Sequence, residues 1–378
     1  MPDQKALRIV HVTRTPVGGI FRHILDLAGG QAARGHHVGI VCDSTTGGVR
    51  AEAALAAIAP QMKLGVSRFA MQRELGPADV TGFVQVSRHL ASVDADVTHG
   101  HGAKGGAFVR LMSAPAAIRV YTPHGGSLHY GRRTLRGIVY GAIERLLSLR
   151  TELFLFESAF ARDTYAAMVG APRGIVRVVP NGISMAEMAP IAPHADAANI
   201  VCVGEFRHIK GTDVLIEALA QLHSTGRRLR LAIAGDGEEG PALRGQVARL
   251  GLTDSVHFLG HTLAREAFAQ GRLLVVPSRA DSLPYVVIEA AGAGIPIIAS
   301  NVGGIPEILG PDAKLVPPEN PARLAQAIAA ALDDPAGMRF DADRLRQRIG
   351  KLFSQDAMVE GVLAGYGEAI ATKFIHSH

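Results

Sequence analysis

The sequence has few of the residues that mark secreted, metal-binding or membrane-spanning proteins. Its 378 residues include only two cysteines, Cys42 and Cys202, which lie far apart and form no metal-ligand pattern. We interpret both as reduced, buried side chains of a cytosolic protein. No charged-then-apolar signal peptide precedes the first strand, and no apolar run is long enough to cross a bilayer. These absences predict a cytoplasmic protein without structural disulfides.

Aromatic side chains are also scarce, because tryptophan is absent and the aromatic fraction is only 5%. Proteins that bind single-stranded nucleic acid interleave aromatic and basic residues, and this sequence does not. Nucleic acid is therefore the least favoured partner. The 48% of hydrophobic residues can fill large cores, which excludes a disordered chain, and the length is sufficient for two domains.

Positive charge is concentrated in the first half of the chain. Residues 1–190 contain 21 Lys and Arg against 13 Asp and Glu, whereas residues 191–378 contain 18 against 21. A basic half predicts contact with something anionic. A lipid headgroup surface and a lipid diphosphate acceptor are the favoured candidates.

Short apolar runs alternate with helical patterns along most of the chain. Leu7–Thr13 ends at a Gly-rich turn, and a helical pattern follows over 20–34. The alternation restarts at Asn199–Val203, after a stretch rich in Pro and Ala. Such alternation predicts parallel sheets with helices on both faces. Other strands are predicted at 38–42, 97–99, 119–122, 153–156, 176–179, 229–234, 256–259, 273–276 and 296–299.

These runs divide the chain into two α/β domains with doubly wound parallel sheets. We predict a Rossmann-like N-terminal domain over 1–184, a linker over 185–198 and a second Rossmann-like domain over 199–359. A C-terminal helix, about 360–378, is expected to pack back on the first domain. Ligands of such folds bind beyond the carboxyl ends of the strands, so we expect a cleft between the two domains.

Two acids, Asp281 and Glu289, follow a buried strand near the end of the second series. Asp281 is in a loop and Glu289 is in an apolar helix predicted to start near Pro284. Amides at that helix start could bind a diphosphate, and the two acids could bind sugar and ribose hydroxyls. The alternative is a capping Asp281 and a solvated Glu289. A buried carboxylate without a partner is costly, which favours the binding role for Glu289.

Two cations, Arg207 and Lys210, lie in a loop between a strand and an amphipathic helix that starts at Gly211-Thr212. Arg can bind phosphate oxygens in bidentate fashion, and Lys supplies a point charge. Solvated surface cations are the alternative interpretation.

The first domain offers a Gly18-Gly19 turn and a set of histidines at strand ends. Two glycines let the backbone approach a ligand, although an ordinary tight turn needs them equally. His99 and His101 flank Gly100, and His124 precedes two glycines. No acid completes a metal site, so we expect structural histidines, with His124 the one that acts on a ligand.

Together these segments resemble glycosyltransferase family 4, the retaining enzymes of GT-B fold, over nearly the whole chain. The version of the histidine motifs is similar to that of bacterial members that build surface polysaccharides. The matching segments are Gly18-Gly19, 97–106, 121–125, 179–183, the Gly204…Arg207…Lys210-Gly211 loop, 234–237, 258–260 and the 277–290 block.

The resemblance implies a role for each matched position. Arg207 and Lys210 hold the donor diphosphate and stabilise the leaving group, Asp281 contacts the transferred sugar, and His124 lies beside that sugar. The family usually has Glu where this chain has Asp281, which is one methylene shorter. The remaining donor-binding positions are Gly18, Gly19, Gly204, His261, Thr262, Leu263 (the last three near the base), Ser282, Leu283, Tyr285, Val286 and Glu289 (near the ribose).

The implied fold is GT-B, with two Rossmann-like domains facing across a cleft. The implied activity is retaining transfer from a nucleoside diphosphate sugar, UDP favoured over GDP, to a glycan or lipid-linked acceptor. No cofactor and no metal are expected, since Arg207 and Lys210 can neutralise the leaving group. A non-hydrolysing nucleotide-sugar epimerase and a non-catalytic nucleotide-sugar-binding protein are the alternatives.

The stretch Tyr130–Arg150 combines apolar residues at helical spacing with five arginines. One interpretation is an amphipathic helix packed on the core with solvated arginines. The other is an interfacial segment that binds an anionic membrane surface and presents a lipid-linked acceptor. The basic first half favours the second, which predicts a peripheral protein on the inner face of the cytoplasmic membrane.

Overall fold

A computed structural model describes residues 5–72, 76, 78–112, 116–125 and 134–375. The chain divides into two compact units. The first unit comprises residues 1–181 and 355–378, and the second comprises residues 182–354.

Unit 1 is built on a seven-stranded sheet in which all neighbouring strands are parallel, in the order β3-β2-β1-β4-β5-β6-β7. The order reverses between β1 and β4, which makes this pair the topological switch point of the sheet. The sequence predicted every strand except β3, whose partly buried Val-Ser-Arg-Phe lies at the sheet edge. The strands are β1 (Arg8–Thr13), β2 (His37–Asp43), β3 (Val66–Phe69), β4 (Val97–His101), β5 (Ile118–Thr122), β6 (Leu153–Phe156) and β7 (Ile175–Val178).

Helices cover both faces of this sheet. On one face, α14 (Gln355–Ile375) packs Val362 and Tyr366 against Ile9 and Val120, and the whole group is buried. The hydrophobic contact explains why the last helix joins the first unit. The other helices of unit 1 are α1 (Gly18–Ala33), α2 (Gly48–Ile58), α3 (Ala78–Ser92), α4 (Gly102–Leu111), α5 (Leu135–Ser148) and α6 (Ala159–Met168).

Two glycines bring α4 close to the strands at the switch point. A side chain at Gly105 would collide with the backbone of Val12, and one at Gly106 would collide with the ring of Tyr121. The close approach fixes the start of α4 directly after β4.

Unit 2 contains a five-stranded parallel sheet with the order β10-β9-β8-β11-β12, so its switch point lies between β8 and β11. All five strands were predicted from the sequence. They are β8 (Ala198–Val203), β9 (Leu231–Ala234), β10 (Val256–Gly260), β11 (Gly271–Val276) and β12 (Ile297–Ala299).

Two apolar clusters form the core of unit 2, one on each side of the sheet. Ile183 and Met188 belong to one of these clusters, so the start of the unit is packed rather than extended. The helices are α7 (Thr212–Ser224), α8 (Gly240–Arg249), α9 (Ala264–Phe268), α10 (Tyr285–Gly292), α11 (Ile305–Leu309), α12 (Pro321–Asp333) and α13 (Pro335–Leu352).

Cys42 and Cys202 are free and buried, as predicted, and burial raises the pKa of their thiols to about 11 and about 12. Neither thiol is therefore a nucleophile at neutral pH.

The α5 helix does not bury the apolar face that its sequence suggests. Leu147 is buried, but Ile138, Val139, Ile143 and Leu146 are between 38% and 64% exposed. The core-packing interpretation of this helix is therefore wrong for most of its apolar residues. Tyr130, Arg132 and Arg133 lie outside the described residues. No helix in the described ranges has the length and hydrophobicity to cross a bilayer.

Candidate functional site

The carboxyl ends of β8 and β11 form the edge at which unit 2 gathers its polar residues. Gly204 follows β8, and Pro277-Ser278 follows β11, so both lie at the switch point, where ligands of such sheets bind. A small cavity opens here. It is lined by Cys202, Val203, Gly204, Lys210, Thr212, Val275, Val276, Pro277, Ser278, Asp281 and Val286.

Lys210 and Asp281 form an ion pair at this edge. The Nζ of Lys210 donates to Oδ2 of Asp281 at 2.8 Å, and the Ser278 hydroxyl donates to the same oxygen at 3.1 Å. The two side chains are only 26% and 13% exposed. The pairing was not predicted, because 71 residues separate the partners and each appeared as a feature of its own loop.

Backbone contacts hold the two loops together. Lys210 ends a short 3-10 helix, His208–Lys210, whose Ile209 carbonyl accepts from the amides of Arg279 and Ala280. Gly211 then adopts a φ of +69° and lies against the carbonyl of Pro277, where a side chain would collide. The loop after β8 therefore reaches the end of β11, which places Lys210 beside Asp281.

Arg279 also holds the loop after β8 in place. Its guanidinium donates to both carboxylate oxygens of Asp213 at 2.7 Å and to the His208 carbonyl at 2.8 Å. Burial opposes ionisation of Asp213, but the bonds from Arg279 hold its pKa below the usual value. Neither residue was predicted from the sequence, in which the position of Asp213 in the first turn of α7 is the signal for its role.

The α10 helix begins at Tyr285 after Pro284, as predicted, and its N-cap residue, Pro284, makes no side-chain capping bond. Glu289 is buried within it, at 9% exposure, as its apolar neighbours suggested. Leu283 and Tyr285 are buried, and Ser282 and Val286 are partly buried. The structure thus brings the start of α10, through Val286, to the cavity that contains Lys210.

The other residues predicted for unit 2 lie at the same edge of the sheet but are more exposed. Arg207 is 47% exposed at its side chain and lies 3.6 Å from the carboxylate of Glu205. His261, Thr262 and Leu263 follow β10, two strands away from β8, with His261 and Leu263 exposed. The structure therefore does not place these residues in the cavity of Lys210.

In unit 1, Gly18 and Gly19 begin α1 five to six positions after β1 ends, again beside a switch point. Gly18 has a φ of +65°, and a side chain there would meet open space. The glycine serves the turn, and the start of the helix has no side-chain cap.

Five histidines of unit 1 cluster near the switch point of its sheet. His99 and His101 on β4 pair in register with His11 and Thr13 on β1, so alternate residues of the two strands share one face. His23 of α1 lies with its ring 5.0 Å from that of His124. His99, His101 and His124 were predicted from the sequence, whereas His11 and His23 were not.

His124 is held at the end of β5 by a hydrogen bond and a constrained backbone. Its Nε2 lies 3.1 Å from Nδ1 of His101, and its φ is +51°, uncommon for a residue other than glycine. Burial lowers the pKa of its imidazole to about 3, so the ring is neutral at physiological pH. Gly126, named with it in the sequence motif, lies outside the described residues.

The histidine nitrogens are close enough for a metal ion in two groups among the described residues. Most of these atoms already have hydrogen-bond partners. Both nitrogens of His99 are bonded, Nδ1 to the Tyr366 hydroxyl at 2.7 Å and Nε2 to Thr122 Oγ1 at 2.8 Å. A metal would have to displace such bonds. The arrangement therefore favours hydrogen bonding over ligation.

Comparisons with known proteins agree with this architecture. Residues 17–187 match the family described as Glycosyltransferase Family 4, and residues 197–334 match the family Glycosyl transferases group 1. The glycogen synthase of Mycobacterium tuberculosis is 28% identical over 88% of this chain and 87% of its own length. The MMP alpha-(1->4)-mannosyltransferase of Mycolicibacterium hassiacum is 27% identical over 78% and 76%.

Solved structures share the fold. Sucrose-phosphate synthase from Thermosynechococcus elongatus superimposes with a TM-score of 0.79, at 22% identity, over 96% of this chain and 99% of that one. Anabaena Alr3699/HepE, in complex with UDP, gives 0.80 at 18% identity over 96% and 100%. The predicted GT-B fold is thereby confirmed. The family matches in both units, together with these relatives, show that the chain belongs to glycosyltransferase family 4 and is a glycosyltransferase.

Proposed function

We propose that this enzyme is a retaining, metal-independent transferase that uses a UDP-sugar as donor. The observation that supports it best is the meeting of Lys210, Asp281 and the start of α10 at the switch point of unit 2. A cation and a helix N-terminus attract a diphosphate, and a carboxylate beside them can bind a sugar hydroxyl. The Anabaena protein's complexes with UDP and UDP-glucose favour UDP over GDP.

In this proposal each predicted residue has one task. Lys210 and Arg207 neutralise the diphosphate, Asp281 binds the sugar and Glu289 binds the ribose. His124 of unit 1 contacts the transferred sugar. The Lys210–Asp281 ion pair holds the ammonium at the switch point before the donor arrives. The diphosphate is contacted by backbone groups of Gly18, Gly19, Gly204, Tyr285 and Val286. The donor loop is completed by Ser282 and Leu283. The base is contacted by His261, Thr262 and Leu263.

The reaction breaks the bond between the anomeric carbon and the β-phosphate oxygen, and the electron pair stays on that oxygen. The acceptor hydroxyl oxygen bonds to the anomeric carbon on the same face, and its proton passes to the departing phosphate. Negative charge therefore develops beside Lys210 and the start of α10, where fixed positive groups stabilise it. Because two cations perform this neutralisation, the reaction requires no divalent metal.

A thermal-shift screen of nucleoside diphosphate sugars, with and without EDTA, tests the donor and the metal together. We expect UDP and one UDP-sugar to raise the melting temperature equally with and without chelator. Preference for GDP, or loss of the shift in EDTA, would contradict the proposal. The anomeric configuration of the isolated product, read by proton NMR, then tests retention.

Two other activities remain as outcomes of the same assays. An epimerase would convert the UDP-sugar to its epimer without an acceptor. A non-catalytic binding protein would show the thermal shift but neither transfer nor slow release of UDP from the donor. Transfer with release of UDP is the expected result.

We infer that the acceptor is a glycan or lipid-linked molecule of bacterial surface polysaccharide or glycolipid synthesis. The enzyme would reach this acceptor at the anionic inner face of the cytoplasmic membrane. The support is the α5 surface, formed by Ile138, Val139, Leu146 and Leu149, all of them exposed. The basic first half of the chain complements anionic lipid. Apolar side chains on a basic protein are the combination that anionic bilayers bind.

Co-sedimentation with vesicles tests the α5 surface. We expect binding to vesicles that contain phosphatidylglycerol and little binding to pure phosphatidylcholine. The double variant Leu146→Gln and Leu149→Gln should weaken it, whereas Val49→Gln, at an exposed valine of α2, should not. Equal binding of both variants would exclude this surface.

A further inference from the structure

A chain of side-chain hydrogen bonds links a buried glutamine of α1 to His124. Gln31 Oε1 lies 2.8 Å from His11 Nε2, and His11 Nδ1 lies 3.0 Å from His101 Nε2. His101 Nδ1 lies 3.1 Å from His124 Nε2. Gln31, His11 and His101 are at most 1% exposed. We call these four residues the histidine relay.

The imidazoles of the relay are neutral. Burial lowers the pKa of His11 to about 4 and that of His124 to about 3, and it lowers the pKa of His101 well below its ordinary value. A neutral imidazole has one N–H and one lone pair, so a ring that donates through one nitrogen must accept through the other. The relay therefore has only two arrangements, in which all three rings donate in one direction or all in the other.

Gln31 selects between the two arrangements. Its Oε1 can only accept, so His11 donates from Nε2 and accepts at Nδ1. His101 must then donate from Nε2 and accept at Nδ1, where it receives the Nε2–H of His124.

A second set of bonds agrees with this orientation of Gln31. The amide Nε2 donates to the Tyr366 hydroxyl at 3.5 Å, which leaves the Tyr366 proton for Nδ1 of His99 at 2.7 Å. His99 then donates from Nε2 to Thr122 at 2.8 Å. All of these donors and acceptors are matched when Oε1 faces His11.

We propose that the histidine relay fixes His124 as a neutral hydrogen-bond acceptor, with its proton on Nε2, so that the transferred sugar must donate a hydroxyl proton to Nδ1. Within the described ranges, Nδ1 of His124 has no hydrogen-bond partner, and the residue is partly exposed. This inference rests on the proposed function, which brings a sugar to His124. Gln31, His11 and His101 are positioning residues that act only through His124.

The consequence is a preference for donors with a free hydroxyl at the contacted position. A deoxy donor lacks the hydroxyl, and a deoxyfluoro donor carries fluorine, which cannot donate a proton. Both should therefore lose the contact with an unprotonated Nδ1. If Nδ1 carried the proton instead, fluorine could accept it, and the fluoro donor would keep part of the contact.

The protonation state can be measured directly, without any donor. In the full chain labelled with 15N-histidine, long-range 1H–15N spectra at pH 7 should show His124 protonated on Nε2 and unprotonated on Nδ1. His124→Gln assigns its signals. Gln31→Leu removes the acceptor that sets the direction, so a mixture of both His124 tautomers is expected.

Two control variants keep this test decisive. Gln31→Glu retains an oxygen acceptor, and Thr122→Val alters only the His99 branch, so both should leave the His124 tautomer unchanged. A proton on Nδ1 in the unmodified protein, an unchanged tautomer in Gln31→Leu, or zinc bound in stoichiometric amount would each overturn the proposal.

Kinetics with single-position deoxy and deoxyfluoro UDP-sugars supply the second readout. At the contacted position we expect both analogues to lose about tenfold in kcat/KM, the equivalent of one hydrogen bond, and His124→Phe should remove this discrimination. A fluoro donor that keeps its activity where the deoxy donor loses it would overturn the inference. Absence of UDP binding would instead refute the proposed function, while the tautomer spectra would stand unchanged.

Discussion

The two switch points have the same strand order around them but gather opposite kinds of side chain. In unit 1 the edge between β1 and β4 is lined by neutral histidines, including His11, His101 and His124. In unit 2 the edge between β8 and β11 carries the Lys210–Asp281 ion pair. The shared topology decides where a ligand can bind. The side chains differ, and in the function proposed above the charged edge attracts a diphosphate whereas the histidine edge binds neutral hydroxyls.

The two units also differ in where a close ion pair lies. Arg110 and Glu144 of unit 1 are paired at 2.8 Å with their side chains 0% and 5% exposed, and the Tyr121 hydroxyl donates to Glu144 at 3.0 Å. This pair lies in the core, whereas Lys210 and Asp281 line a cavity. The two ion pairs therefore have the same N–O distance, 2.8 Å, in different surroundings. The buried pair supports the fold, and the pair at the switch point is available to a ligand.

Glu144→Ala should give the largest effect on stability. Removing one partner of a buried pair leaves the other charge uncompensated, which costs about 3–5 kcal/mol. Urea denaturation should show this loss, with UDP affinity unchanged in the folded protein. Asp163→Ala breaks an exposed pair of the same unit and should leave the stability nearly unchanged, because solvent screens exposed ion pairs. Equal losses of stability in the two variants would contradict the expected difference between buried and exposed pairs.

Lys210→Ala should give the largest effect on activity. Removal of a fixed group that stabilises developing charge typically lowers kcat by about 10²–10³-fold, while the melting temperature should stay close to that of the unmodified protein. UDP release with saturating donor is the measurement. Lys314→Ala, at an exposed lysine of unit 2, is the matched control. Near-normal turnover of Lys210→Ala would refute its leaving-group role.

Acid should destabilise unit 1 through its buried histidines. The pKa of His11 is lowered to about 4, so below about pH 6.5 the unfolded chain takes up a proton that the folded chain refuses. Stability is thus complete above pH 6.5 and falls as the pH drops toward 4, by about 2 kcal/mol at pH 5 for each such histidine. Urea denaturation at pH 7.5 and pH 5 should show this. His11→Gln should weaken the dependence, and an unchanged dependence would contradict the assignment.

Arg207→Ala should have the smallest effect of the four. Its guanidinium is half exposed, and contacts of exposed charges are worth at most about 1 kcal/mol, or about fivefold in the KM for the donor. Arg207→Lys should recover part of this loss because it keeps the charge. A decrease as large as that of Lys210→Ala would mean that Arg207 becomes buried against the diphosphate when the donor binds.

Local sequence patterns predicted most of the secondary structure. Most of the buried parallel strands contain short apolar runs, so all the strands but one could be located, and the Pro284 start of α10 followed from the change in pattern. The strand β3 escaped because a four-residue edge strand with Ser and Arg has no such pattern. For the α5 helix, by contrast, a clear pattern was present but the prediction from it was wrong. Its amphipathic spacing predicts a buried face, but nothing in the described residues covers most of it.

The candidate site was predicted as single residues rather than as contacts. Lys210, Asp281 and His124 each stood out in a strand-end motif. The sequence did not indicate that Lys210 and Asp281 touch, because that depends on the turn at Gly211 against Pro277. Gln31 was missed altogether, since one buried glutamine in an amphipathic helix gives no signal.

By itself the sequence determined the alternation of strands and helices, and with it the two parallel sheets and the strand ends at which polar residues collect, because each of these depends on side chains a few positions apart. Only the tertiary structure decided which of those polar residues meet, and therefore that one edge holds an ion pair and the other a chain of neutral histidines. Hydrogen bonds and ion pairs require atoms within about 3 Å. Such distances between residues far apart in the chain are set by how the strands and helices pack.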